Sequence, residues 1–231
     1  MTNYFLFETD GPIATLTFNQ PDRRNCMNHD VMREMDGLIR QVRDNRAVRV
    51  LITTGSGAAF SAGADLSAPR EITDPSERAR IAKERNKGLA RVIGRVFDLI
   101  TRLDCLTIAA VNGYAIGGGW AIAAAFDFVI AAEQAEFWIP EVDLKQPYIG
   151  GPARVMAARM GPWRAKEAMI LCRRYKADEL YQMGMVNRVV KAEELMPAAR
   201  ELARTLAEKN PGAATRTKHF VDEAFVGPRW Y

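Results

Sequence analysis

The eight residues Asn112-Gly113-Tyr114-Ala115-Ile116-Gly117-Gly118-Gly119 constrain this chain more than any other stretch. They follow Thr107–Val111, an apolar run too short for a helix and bounded by polar residues, which reads as a buried strand. They precede Trp120–Phe126, an apolar run that reads as a helix. A strand passing through a glycine turn into a helix is a building unit of α/β folds. Glycine admits the positive φ and the close backbone approach that such a turn needs. The turn also presents N–H groups without intrahelical partners at the positive end of the helix dipole.

A second loop has the same character. Ala59-Phe60-Ser61-Ala62-Gly63-Ala64-Asp65-Leu66 comes after the β-branched run Val48–Thr53 and the turn Thr54-Gly55-Ser56-Gly57. Two such loops side by side would supply a pair of N–H donors able to hold a developing oxyanion. Either loop alone is better explained as a device for packing a strand on a helix. The glycine spacing matches neither Gly-x-Gly-x-x-Gly with a downstream acid nor a Walker A loop, so phosphate cradling of those kinds is disfavoured.

Elsewhere, Tyr4–Phe7 and Ile13–Phe18 alternate around Gly11-Pro12 and read as a β-hairpin. Asn28-His29-Asp30 would cap a helix over Val31–Asp44, and Pro75–Leu103 has helical spacing, with dense charge from Arg70 to Lys87. Asp127–Ala132 and Glu136–Ile139 read as strands. Pro152–Tyr231 reads as mostly helical, with interruptions at Asp178, Gly184, Asn187 and Pro211. The whole is an α/β chain with one candidate boundary near Lys191, giving a core over 1–190 and a helical segment over 191–231.

The 231 residues, 48% hydrophobic and 26% charged, suffice for a sizeable core. No apolar run approaches the ~20 residues of a membrane span, and Met1–Asp10 lacks the pattern of a secretory signal. Cys26, Cys105 and Cys172 are odd in number and scattered, which suggests no disulfide framework or zinc site and makes the reducing cytoplasm the expected compartment. His29 and His219 show no metal-ligand spacing, so no metal is expected. A net charge of +4, spread along the chain, makes no basic stripe for nucleic acid, though it would attract a polyanionic ligand.

In Phe137-Trp138-Ile139-Pro140-Glu141-Val142-Asp143-Leu144 a carboxylate stands among apolar and aromatic residues. Burial of Glu141 beside Trp138, Ile139 and Val142 would raise its pKa and suit it to proton transfer near neutrality. Taken alone, a carboxylate that caps or salt-bridges a turn is the better explanation. Asp143, Tyr114 and Tyr148 are weaker candidates, better explained by structure or packing.

Taken in order, Phe60-Ser61-Ala62-Gly63-Ala64-Asp65-Leu66, Ala109 to Gly119, Asp127, Ala132-Glu133, Phe137 and Pro140-Glu141 resemble the crotonase (enoyl-CoA hydratase/isomerase) superfamily. The resemblance runs from Ile13 to about Lys218. It takes in Pro21-Asp22-Arg23-Arg24-Asn25, Ala165-Lys166-Glu167-Ala168, Ala177, Ala203 to Leu206 and Thr217-Lys218. It implies a spiral fold of ββα units with a C-terminal helical region that supports a homotrimer or a dimer of trimers. It also implies an acyl-CoA thioester as substrate, with coenzyme A part of the substrate and no separate cofactor. The N–H groups of Ala64 and Gly118 would form an oxyanion hole, with Glu141 as acid/base. Arg23, Arg24, Cys26, Ala62, Asp65 and Leu66 would line the path of the CoA moiety. Preorganised donors of this kind are worth about 3–4 kcal/mol each to an enolate.

The chain also departs from the family. Its hydratases carry two glutamates, and here the first position is Ala121, beside Trp120. Isomerisation, which needs one carboxylate, is therefore expected over hydration; the alternative is an acyl-CoA-binding or assembly subunit with little catalysis. Trp120 would either wall off the water site or pack in the core. The position eight beyond Glu141, acidic in some dienoyl-CoA isomerases, is Ile149, and Lys145-Gln146 replace the usual Leu-Gly. The chain stops at Tyr231, short of the family's last helix, which would leave a more open pocket. Ser67–Leu89, which no motif constrains, would form much of the pocket wall.

Overall fold

A computed structural model describes residues 4–67, 74–148 and 150–226. Residues 68–73 of the expected pocket wall, Ile149 and Tyr231 lie outside them. The hairpin forms as β1 (Phe5–Asp10) and β2 (Ile13–Phe18), antiparallel, with Gly11 at φ +55° in the turn. A 3-10 turn at Pro21–Arg23 leads to α1 (His29–Asp44). Asn28 caps α1, its Oδ1 accepting from the N–H groups of Asp30 and Val31 at 3.0 Å each. Val31, Met32, Met35, Ile39 and Val42 form its buried face.

Three similar units follow. The first has β3 (Val50–Gly55), β4 (Ala59–Ser61) and α2 (Pro75–Thr101). The second has β5 (Leu106–Val111), β6 (Tyr114–Ile116) and α3 (Gly118–Ala124). The third has β7 (Phe128–Ala132), β8 (Glu136–Trp138) and α4 (Gly151–Met160). In each, the first strand joins a six-stranded sheet of order β1-β2-β3-β5-β7-β10, where β10 is Arg188–Val190. The second joins a four-stranded sheet of order β4-β6-β8-β9, where β9 is Tyr175–Lys176. Successive units pair in parallel, so the ββα spiral is as expected.

The elements after Pro152 are α5 (Pro162–Ile170), β9 (Tyr175–Lys176), α6 (Ala177–Gln182), β10 (Arg188–Val190), α7 (Leu195–Ala207) and α8 (Pro211–Val226). Two short strands therefore interrupt a region read as helical. Asp178 does not interrupt a helix; it lies in the first turn of α6, where a negative charge suits the helix dipole. The loops read at 59–61 and 114–116 also hold strands, β4 and β6. Their three residues are too few to show a period.

Two apolar clusters fill the interior. The larger packs α1, α2, α3 and α4 between the sheets, around Met35, Phe60, Phe97, Trp120 and Phe137. In the smaller, Leu195, Ala198, Ala199 and Ala203 of α7 cover Val50, Ile52, Ile108 and Ile130 of the large sheet. No described helix is long and apolar enough to cross a membrane.

Candidate functional site

The spiral brings the two small-residue loops into contact. Gly63 sits at φ +80°, and a Cβ there would lie 2.4 Å from the Ile116 carbonyl oxygen and 3.3 Å from the Gly118 nitrogen. A Cβ on Gly118 would lie 2.9 Å from Met27 Cε, 3.0 Å from Ile93 Cδ1 and 3.9 Å from the Ala64 nitrogen. The backbones meet only because neither carries a side chain.

Met27 holds the first loop by a parallel bridge to Ala64. The Met27 N–H donates to the Gly63 carbonyl, and the Asp65 N–H donates to the Met27 carbonyl, both at 2.7 Å. That pattern leaves the Ala64 N–H outside the ladder. Gly118 is the first residue of α3, where N–H groups have no intrahelical acceptor. Two donors for which no acceptor occurs among the described residues therefore lie on adjoining loops.

Glu141 enters from the third unit. Gly117, at φ +49°, sits so close that a Cβ there would come 2.5 Å from Glu141 Oε1. The Gly117 N–H donates to the Trp138 carbonyl at 2.8 Å, which ties the glycine turn to the end of β8. Burial holds the Glu141 carboxyl up at about 7 against an ordinary 4.5, and its own backbone N–H offsets this in part. Oε2 is buried and has no partner among the described residues. The expected neighbours need correction. Ile139 is fully buried, but Val142 is 40% exposed and turns outward, so the glycine turn encloses the carboxylate where Val142 was expected to.

The six residues expected along the ligand path lie on one seam. The Ala62 N–H donates to the Arg24 carbonyl at 2.9 Å, and Arg23 pairs with Asp65 at 2.8 Å. Burial opposes the charge on Asp65, but hydrogen bonds from Ser67 and Arg23 outweigh it and hold its carboxyl below the ordinary range. The Arg24 guanidinium stands 6.0 Å from the Tyr114 ring centroid. Leu66 is 55% exposed, an apolar side chain at the rim. Burial and the Asp65 charge push the Cys26 thiol up, which keeps it protonated and a poor nucleophile.

Sequence reading passed over Asn25 as a site-builder. It is fully buried at φ +54°, and its Nδ2 donates to the carbonyls of Ser56 at 3.0 Å and Ala59 at 2.7 Å. Its Oδ1 accepts from the Gln20 N–H at 2.8 Å, and its own carbonyl accepts from Ser61 Oγ at 2.7 Å. A pair of bonds from one amide thus fixes the seam. Its signal in the sequence was its place in the Pro21–Asn25 segment of the resemblance.

Ala121 is buried in α3 with a methyl where an acid was looked for. Trp120 packs in the core, its ring 5.6 Å from Phe137 and 6.0 Å from Tyr175. Asp143 and Lys145 are exposed on the turn after Glu141. His29 starts α1 and His219 faces Asp104 at 3.9 Å; no cluster of metal-ligating side chains occurs among the described residues. A separate cavity of about 830 Å³, lined by α2, α4 and α8 residues including Asp98, Arg154 and Lys218, does not include Glu141, Ala64 or Gly118.

Comparison with known proteins gives one consistent answer. The enoyl-CoA hydratase/isomerase family pattern matches residues 8–228. A short-chain-enoyl-CoA hydratase of Clostridium acetobutylicum is 35% identical over 223 residues, covering 95% of this chain and 81% of the relative. A putative enoyl-CoA hydratase/isomerase family protein from Hyphomonas neptunium superimposes with a TM-score of 0.88 at 27% identity, covering 99% of this chain and 85% of that one. A monofunctional enoyl-CoA isomerase from M. smegmatis gives a TM-score of 0.78 at 28% identity, covering 97% and 94%.

Proposed function

Because the chain belongs to the enoyl-CoA hydratase/isomerase family, we propose that it moves a proton between carbons of an unsaturated acyl-CoA, with Glu141 as the one acid/base group. The observation that carries this reading is the buried Glu141 carboxylate at the glycine turn, with Ala121 in place of a second acid. The N–H groups of Ala64 and Gly118 would hold the thioester oxygen as it becomes an enolate oxygen. Glu141 would take a proton from C2 or C4 of the chain and return it at the other end of the allylic system. A carboxyl that titrates near neutrality serves as base and then as acid. Coenzyme A is part of the substrate, and its path follows Arg23, Arg24, Cys26, Ala62, Asp65 and Leu66.

The division at Lys191, the assembly through 191–231 into a trimer or dimer of trimers, and the cytoplasmic setting belong to the same proposal. Parallel assays of 3-enoyl to 2-enoyl conversion and of 2-enoyl hydration test it. Isomerisation that exceeds hydration and falls at least a hundredfold in E141Q is the expected result. Thioester binding without turnover of any acyl-CoA would favour the binding-subunit alternative. Hydration at a rate matching isomerisation would place the second acid elsewhere.

A further inference from the structure

Two buried polar atoms of the site are left without partners among the described residues, and they belong to neighbouring groups: Glu141 Oε2 and the Tyr148 hydroxyl. Buried polar atoms without partners are costly, so such a pair calls for an explanation. The chain between them is folded back. The Leu144 N–H donates to the Pro140 carbonyl at 3.1 Å, the Lys145 N–H to the Val142 carbonyl at 2.9 Å, and the Gln146 N–H to the Glu141 carbonyl at 2.8 Å. Lys145 takes a left-handed φ of 58° to close this curl. Tyr148 follows Pro147 directly, and its ring packs against the core while its hydroxyl comes within reach of the carboxylate's charge. Neither atom is open to solvent, so the natural partner of each is the other.

We propose that Tyr148 is a positioning residue for Glu141: its O–H donates to Oε2 when the carboxyl ionises and holds the base in line for proton transfer. The inference rests on the reading of Glu141 as the acid/base group. It adds a second polar side chain to a site read with Glu141 as its one acid/base group. Burial, and then the Glu141 charge, keep the phenol well above its ordinary value, so it acts as a donor throughout and never as the base. Beside the carboxylate lies the Gly117 turn, and Ile93 of α2 lies beside Gly118. The charged groups on the elements around it are Asp143 and Lys145 on its own turn, Arg91, Arg95 and Asp98 on α2, and Arg154 on α4; burial is the largest influence on the Glu141 carboxyl. The two atoms stand apart in this structure, and the bond closes as the carboxyl ionises, with or without substrate.

The test is Tyr148→Phe, which keeps the ring and removes only the hydroxyl. Two readouts apply to the intact protein: the acid limb of the kcat/KM profile, and the titration of the Glu141 carboxyl by ¹³C NMR with labelled glutamate. Both should move up by about one pH unit, a tenfold change in the ionised fraction. An unmoved Glu141 titration in Y148F, with E141Q inactive, overturns the role of Tyr148 alone. An E141Q variant that keeps full turnover overturns the acid/base reading itself, and the positioning role falls with it.

Discussion

Gly117 and Glu141 touch: a methyl group on Gly117 would stand 2.5 Å from the carboxylate oxygen Oε1. The turn that starts α3 thus also encloses the carboxylate, and its φ of +49° bars most side chains independently. Gly117→Ala should displace Glu141 and cost about 1–3 kcal/mol of backbone strain. We expect at least a hundredfold loss of kcat with the fold retained, read by turnover together with circular dichroism.

Glu141 also lowers stability at high pH. Its folded pKa of about 7 lies above the ordinary 4.5, so the folded state binds the proton more tightly than the unfolded one. The stabilisation linked to that proton is complete below about 4.5 and is lost as pH rises through about 7, for a change of about 3 kcal/mol. Glu141→Gln removes this dependence. Urea unfolding of both proteins at pH 5 and pH 8 should show the variant gaining on the wild type at pH 8. An equal difference at the two pH values would contradict burial as the cause.

Asn25 should matter to stability more than its place in an arginine-rich loop suggests. Asn25→Ala strands the carbonyls of Ser56 and Ala59 and the N–H of Gln20. A loss of about 2–4 kcal/mol in denaturant unfolding is expected. Acyl-CoA affinity should weaken as well, because the seam between residues 23–27 and 61–66 loosens.

At the rim the balance is reversed. The Arg23–Asp65 pair is about half exposed on the arginine side, and such pairs contribute under about 1 kcal/mol. Arg23→Ala should leave the melting temperature nearly unchanged. Binding of a CoA thioester should weaken about tenfold, and less so at high salt, as calorimetry at two ionic strengths would show.

Away from the site, Lys218 Nζ meets Asp127 Oδ2 at 3.0 Å with both side chains largely buried. The same oxygen accepts from the N–H and Oγ1 of Thr107 at 2.8 Å each. Lys218→Met leaves the Asp127 charge buried without its cation. It should cost about 3–5 kcal/mol in unfolding experiments with little effect on kcat.

Some of this was legible because the signal is local. Asn28 announces α1 since a cap needs only its next three residues, and the runs at 107–111 and 117–119 announce strand, turn and helix. The strands β4, β6, β9 and β10 were not legible: two or three residues carry no period, and their pairing is decided by the sheet they join. Glu141 could be picked out by type. What encloses it could not, because Gly117 lies 24 positions earlier and Val142, the adjacent residue, points away. Asn25 stands in the Pro21–Asn25 segment of the resemblance and Tyr148 is among the weaker candidates, but what either does was not legible, since their surroundings are set by tertiary contacts and by a curl closed at Lys145.

The repeated ββα unit has a further consequence for how this molecule can vary. Each coil of the spiral delivers one short strand to the small sheet and hangs one turn beside it. In the proposed reaction the first two coils would supply backbone N–H groups, at Ala64 and Gly118, while the third would supply a side chain, Glu141. Holding the thioester oxygen and choosing the reaction would then be written on different coils. On that reading, a substitution confined to the turn after β8 would redirect the chemistry while the grip on the thioester stayed as it was.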